Sequence, residues 1–233
     1  MASHGKKRHI KRLSASPLVP IHKKAHRYLK KPKAGRHPAS ASMSLLVLLR
    51  DLLGVARDRR EAQLILNSKA VSIDGVFITE LAFPVGLMDL VSVGKKHYRV
   101  IVDKHRFTAA LISADAAKSK YCRVTGKKII RGGKVQLAFH DGRTQLFEKE
   151  EDNFRLGDTV KLAVPKQKIE SFIKLEQGAK CFVYAGKHKG HIAQVMGITA
   201  VPGSAALLSL HDDSGDFSTR KGYAFVVDDA FLK

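Results

Sequence analysis

The chain has 233 residues and 44% apolar composition, enough for one large core or several small ones, so disorder throughout is excluded. Its formal net charge of +21 favours a polyanionic partner, nucleic acid first and an anionic membrane surface second. Cys122 and Cys181 are too few for a disulfide framework and too far apart for a metal knuckle, so a reducing cytoplasm is expected, with no metal and no cofactor.

Residues 1–42 hold eight Lys and four Arg against no Asp or Glu, which is twelve of the net positive charges. Met1-Ala2-Ser3-His4-Gly5 shows no apolar leader, and the longest apolar run, 45–49, is far shorter than a membrane span, so no membrane partner is expected. Pro17, Pro20, Pro32 and Pro38 remove amide donors and disfavour helix before them, which predicts a basic extended N-terminal arm over 1–42. Such a segment is expected to order only on a partner. Its cations come in short clusters: Lys6, Lys7 and Arg8; Lys11 and Arg12; Lys23, Lys24 and Arg27; Lys30, Lys31, Lys33 and Arg36. That spacing suits several phosphates along a winding RNA backbone, with His9, His22, His26 and Tyr28 able to stack on bases. A solubilising or targeting tail is the alternative.

From Met43 the apolar period becomes helical, with Leu45, Leu49 and Leu52 on one stripe and Leu46 and Leu53 beside it. Gly54 can end this helix. Asp58 and Glu61 read as an N-cap and capping-box pair opening a second helix, whose buried side is Ala62, Ile65 and Leu66. Arg57, Arg59 and Arg60 then stand at the helix start, where free amides and the dipole also favour an anion. Pairing with Asp58 and Glu61 in a merely solvated helix start is the alternative. Asp74-Gly75 predicts a tight hairpin within 71–78, and a second hairpin is expected around Gly94-Lys95-Lys96.

At 53–75 the chain resembles the S4-type RNA-binding domain, through Leu53-Gly54-Val55-Ala56, Arg57-Asp58-Arg59-Arg60-Glu61-Ala62, Ile65-Leu66-Asn67 and Val71-Ser72-Ile73-Asp74-Gly75. The resemblance implies that Arg57, Arg59 and Arg60 touch RNA, and Lys69 is a further RNA-binding candidate. The motif commonly has glycine where this chain has Lys69; a left-handed residue there would be strained unless Asn67 or Ser68 takes the conformation or the turn shifts.

Between 107 and 174, strands are expected over 134–139, 143–147 and 159–164, punctuated by Gly132-Gly133, Asp141-Gly142 and Gly157-Asp158, as in a compact antiparallel β-domain. Lys118, Lys120, Lys127 and Lys128 read as surface charge, and no residue set demands a catalytic reading. Strands over 180–184 and 192–195 flank Gly186-Lys187-His188-Lys189-Gly190, which resembles a KOW motif, the core of a small SH3-like barrel. Lys187, His188 and Lys189 would then meet phosphate from an exposed loop tip. Residues 224–227 can close the barrel, and the acidic stretch 212–216 is expected to face solvent or protein.

The expected fold is therefore α+β and multi-domain: an arm (1–42), a small S4-type α+β domain (43–106), an antiparallel β-domain (107–174) and an SH3-like KOW barrel with tail (175–233). In this order the parts resemble the archaeal-type small-subunit ribosomal protein S4e family, most specifically at 30–38, 83–90 and 186–190. The resemblance implies a structural, non-enzymatic constituent of the small ribosomal subunit, with small-subunit rRNA and neighbouring ribosomal proteins as partners and no small-molecule substrate. The alternatives are a ribosome assembly or transcription factor and, further off, a pseudouridine synthase; the Gly-Arg-Leu-Asp context of the latter is replaced by Gly142-Arg143-Thr144-Gln145.

Overall fold

Alternating burial along short β-rich runs makes antiparallel sheet the dominant regular structure of the chain. The computed structural model describes residues 9–148, 153–212 and 215–231, so the candidates Lys6, Lys7 and Arg8 lie outside the described residues. In the arm, β1 (Ile10–Lys11) pairs with β2 (Tyr28–Leu29). The arm is more than an extended tether. Ala15, Val19 and Ile21 are buried in the main core, and the Phe107 amide donates to the Leu18 carbonyl at 2.7 Å. The apolar residues between Pro17 and Ile21 carry this docking, although positive charge dominates the arm as a whole.

The next unit comprises β3 (Ser42–Ser44), α1 (Leu45–Val47), α2 (Arg59–Asn67), β4 (Val71–Ile73), β5 (Val76–Phe77), β6 (Pro84–Gly86), β7 (Leu90–Val93), β8 (Lys96–Asp103) and β9 (Arg106–Ile112). One sheet runs in the order β5-β4-β7-β8-β9, and β3 pairs with β6. The first helix continues beyond α1 as a π-helical turn over Leu48–Leu52 and stops at Gly54, which has φ 63°. Leu45, Leu46, Val47, Leu48 and Leu49 are all buried, so this helix lies inside the core instead of presenting one apolar stripe. Asp58 takes the N-cap backbone conformation of α2 without a side-chain cap bond; Glu61 instead accepts from the Arg57 amide at 2.8 Å. Ala62 and Leu66 are buried as expected, and Lys69 itself takes the left-handed conformation, with φ 55°. The hairpin turn has Asp74 at φ 49° and Gly75 at φ 72°, the double positive φ of a type I′ turn.

The first sheet does not stop at residue 106. β9 pairs with β8 from Asp103↔Arg106 to His97↔Ile112, through a turn in which Lys104 and His105 both have positive φ. A turn built without glycine or proline gave no breaker signal at that point.

The central sheet has β10 (Ser119–Ile129), β11 (Val135–Phe139), β12 (Thr144–Phe147), β13 (Thr159–Ala163) and β14 (Ile169–Ile173), ordered β12-β11-β10-β13-β14. β10 pairs with β13 through its first half and with β11 through its second, the register shifting between Val124 and Gly126. The bulge bends β10 around a core of Cys122, Val124, Leu137, Phe139, Val160 and Leu162. The last sheet has β15 (Lys180–Val183), β16 (Ile192–Thr199), β17 (Leu207–Asp212), β18 (Gly215–Arg220) and β19 (Ala224–Val226), ordered β18-β17-β16-β15-β19. Its core includes Cys181, Val183, Val195, Leu208, Leu210 and Val226. Phe182, Phe225 and Phe231 face the other way, into the main core with Tyr121, so the C-terminal unit is keyed to the first. Among the described residues no helix is long and apolar enough to cross a membrane.

Candidate nucleic-acid interface

α2 begins in the open. Arg57, Arg59 and Arg60 are exposed, and among the described residues none of them pairs with a carboxylate; Glu61 is engaged by the Arg57 backbone amide. Three exposed arginines thus stand at a helix start whose first amides lack intrahelical partners, an arrangement suited to phosphate oxygens. Lys69 is exposed at the opposite end of the same helix.

A second cationic surface lies on the arm. Lys11, Lys23, Lys24 and Arg27 are exposed around a shallow concavity that they line with Leu13 and His26, and no acidic residue takes part among the described residues. Tyr28 lies beneath the Arg27 guanidinium at 5.4 Å and against the His9 ring at 5.7 Å. Lys30 and Lys31 are half-buried, and Lys33 is exposed but paired with Glu80 at 3.0 Å.

Two arm candidates do other work. Arg12 is buried: its Nε donates to the His22 carbonyl at 3.0 Å and its Nη2 lies 3.9 Å from Asp51. Its guanidinium staples the arm into its own fold and is withdrawn from the phosphate contacts. Arg36 donates to the buried Asp74 carboxylate at 2.6 Å. The loop 186–190 is also less open than expected. Lys187 is exposed, but His188 and Lys189 are half-buried, because the His188 ring stacks on Phe217 at 4.2 Å and Gly190 packs against the Asp103–Lys104 backbone.

Beneath these surfaces lies a charge cluster that the sequence reading missed. Lys120 is fully buried and not surface charge, with Nζ at 2.9 Å from Asp74, 2.6 Å from Asp89 and 3.2 Å from Asp141. Arg143 adds contacts of 2.5 Å to Asp74 and 3.2 Å to Asp141. His37 Nε2 lies 3.0 Å from both Asp89 oxygens, and the Gly86 amide donates to Asp89 at 2.8 Å. Three carboxylates thus face Lys120, Arg36 and Arg143 in matched number. Burial alone would raise the Asp89 carboxyl, but Lys120 and His37 hold it well below the usual carboxylate range; Asp141 is lowered likewise, against its own burial, chiefly by Lys120. Burial would lower the Lys120 ammonium, but Asp89 and Asp74 drive it well above its ordinary value. A signal was present: Lys120, Cys122 and Val124 share one face of β10, which period-two reading assigns to the core.

Next to this cluster, Cys122, His140 and Asp141 bring three ligand-type atoms within 4.8 Å of one another. They do not form a metal cage. Asp141 is already compensated by Lys120 and Arg143, and burial pushes the Cys122 thiol well up, towards its protonated form. His140 has no lone pair to spare, since Nδ1 accepts from the Arg123 amide at 3.3 Å and Nε2 faces the Leu87 carbonyl at 3.2 Å.

The model of the ribosomal S4e family matches residues 94–169. Over 238 residues the chain is 36% identical to the small ribosomal subunit protein eS4 of Methanocaldococcus jannaschii, covering 98% of this chain and 97% of that one. The chain belongs to the ribosomal S4e family. Another S4e relative, the small ribosomal subunit protein eS4 of Methanosphaera stadtmanae, is 36% identical over 97% of this chain and 95% of its own. The crystal structure of the 30S ribosomal protein S4e from Thermoplasma acidophilum superposes with a TM-score of 0.71 at 32% identity, over 80% of this chain and 95% of that one. The S4e fold is thus shared with a solved member over four fifths of this chain.

Proposed function

We propose that this S4e protein is a structural constituent of the small ribosomal subunit that binds and stabilises folded small-subunit rRNA in the cytoplasm, beside neighbouring ribosomal proteins. The observation that carries the RNA contact is the trio Arg57, Arg59 and Arg60, exposed and free of carboxylate partners at the start of α2 among the described residues. In this reading α1, α2 and the 71–77 hairpin form an S4-type domain that sets register on an RNA helix. The arm cluster Lys11, Lys23, Lys24 and Arg27 adds phosphate contacts nearby, as do Lys6, Lys7, Arg8, Lys30, Lys31, Lys33 and Lys69. The last sheet is a KOW-type barrel offering Lys187. Linked contacts raise avidity without any single tight site. The buried Lys120 cluster, with Arg36 and His37 plugged into it, keeps arm, first sheet and central sheet in fixed relation, so the contacts are preorganised.

The test is direct binding of the purified chain to small-subunit rRNA across a salt series. Several phosphate contacts should give a log–log slope steeper than about −4, each contact supplying roughly 0.7 to 0.9. Binding that ignores salt, or no binding, would remove the proposal.

A further inference from the structure

Arm, first sheet, central sheet and last sheet meet around a cavity of about 410 Å³ that the contacts above leave unused. Protein interiors pack to crystal density and keep few voids larger than a water molecule, whereas spaces of about 300 Å³ and more are typical of sites that take a ligand group. Its wall carries five rings, the buried His37, Phe107 and Phe225 and the half-buried His140 and Tyr184, with two cations, Arg123 and Lys189, and no acidic residue among the described residues. His140 is a neutral, flat surface here, because both of its ring nitrogens are bonded to backbone. The Arg123 guanidinium lies over Tyr184 at 5.5 Å and over Phe225 at 5.6 Å, continuing the aromatic array as a stacking plane. Lys189 is half-buried and has no carboxylate partner among the described residues.

An apolar, aromatic chamber edged by positive charge alone matches a planar uncharged ring carried on an anionic chain. We propose that the cavity receives one unstacked nucleobase of the bound RNA, with Lys189 and Arg123 facing the phosphate beside it. Sequence-specific RNA recognition works through such splayed-out bases, stacked on aromatic or guanidinium planes. An apolar side chain from a neighbouring protein would fill the same volume but leave both cations without a counter-charge, so charge complementarity favours the nucleotide. The end of the arm reaches this wall through Ser40, and the 186–190 loop, expected from the sequence to meet phosphate, reaches it through Lys189.

This inference rests on the RNA-binding proposal, and the experiment separates the two. Ala185 lines the cavity, so Ala185→Phe fills it without touching a charge. Full-length wild type and Ala185→Phe are titrated with small-subunit rRNA, after their thermal melts are compared. The expected result is wild-type melting with affinity lowered about ten-fold or more, as for loss of one stacked base. If the folded variant binds as tightly as wild type, the cavity inference falls and the RNA proposal stands; if wild type fails to bind, both fall. Should Ala185→Phe not fold, a cryo-EM map of the assembled small subunit decides. A base inside the cavity supports the inference, and an empty cavity or one filled by a protein side chain overturns it.

Discussion

Replacing Lys120 with methionine keeps most of the side-chain volume and removes one charge from the buried cluster. Asp74, Asp89 and Asp141 would then share Arg36, Arg143 and His37, with no ammonium at their centre. Breaking a buried pair from one side costs about 3–5 kcal/mol, because the partners stay desolvated and uncompensated. Against a total stability of about 5–15 kcal/mol, that is a large share. Urea unfolding at pH 7, followed by far-UV circular dichroism, measures the loss. Adding Asp89→Asn to Lys120→Met should return part of it, with a coupling of about 0.5–3 kcal/mol. Lys118→Met, two residues away, is the control: Lys118 and Asp115 are paired at 2.7 Å but 73% and 90% exposed, so the change should leave the urea midpoint at that of wild type. A Lys120→Met chain within about 1 kcal/mol of wild type would refute the assignment of Lys120 as the keystone of the cluster.

His140 is held neutral in the fold, its pKa pushed down from 6.5 to about 3 by burial and by Lys120, so the unfolded chain gains the proton first as pH falls. Stability should therefore drop below pH 6.5, by up to about 2 kcal/mol at pH 5, and His140→Gln should flatten that limb; below 3.8, Asp89 and Asp141 add their own loss. Urea midpoints from pH 7 to pH 3 check these statements. Changing Arg57, Arg59 and Arg60 together to alanine should leave the melt unchanged while flattening the salt slope of rRNA binding by roughly 2 to 3. Lys69→Gly should raise stability by up to about 1 kcal/mol, since Lys69 sits at φ 55°, and chemical denaturation reads the sign. Deleting residues 2–42 should lower the melting temperature of the remainder as well as its RNA affinity, because Ala15, Val19 and Ile21 leave the main core; an unchanged melt would mean that the arm contributes nothing to the fold.

Local signals carried most of the strands. Asp74-Gly75 and Gly94-Lys95 mark their turns in composition, and Val135, Leu137 and Phe139 alternate cleanly, so these hairpins were legible. The Lys104-His105 turn was not, because its residue types carry no turn preference and positive φ there is imposed by the strands it joins. Exposed cations followed from the helix start, since Arg57, Arg59 and Arg60 needed only their positions relative to Ala62 and Leu66. Long-range pairing was the blind spot. Asp74 and Asp141 look like turn residues, and Arg36 looks like one more arm cation, until strands remote in sequence bring them onto Lys120. Charge type alone does not tell a solvated Lys from a buried one; the inward face of β10 does.

The central claim is residence in the small ribosomal subunit, and sucrose-gradient sedimentation of native lysate tests it most directly, with mass spectrometry locating the chain at low and high salt. The chain should travel with mature small subunits and stay there through the high-salt wash. Recovery in the free fraction, or only with immature particles, would contradict the claim and point instead to an assembly factor.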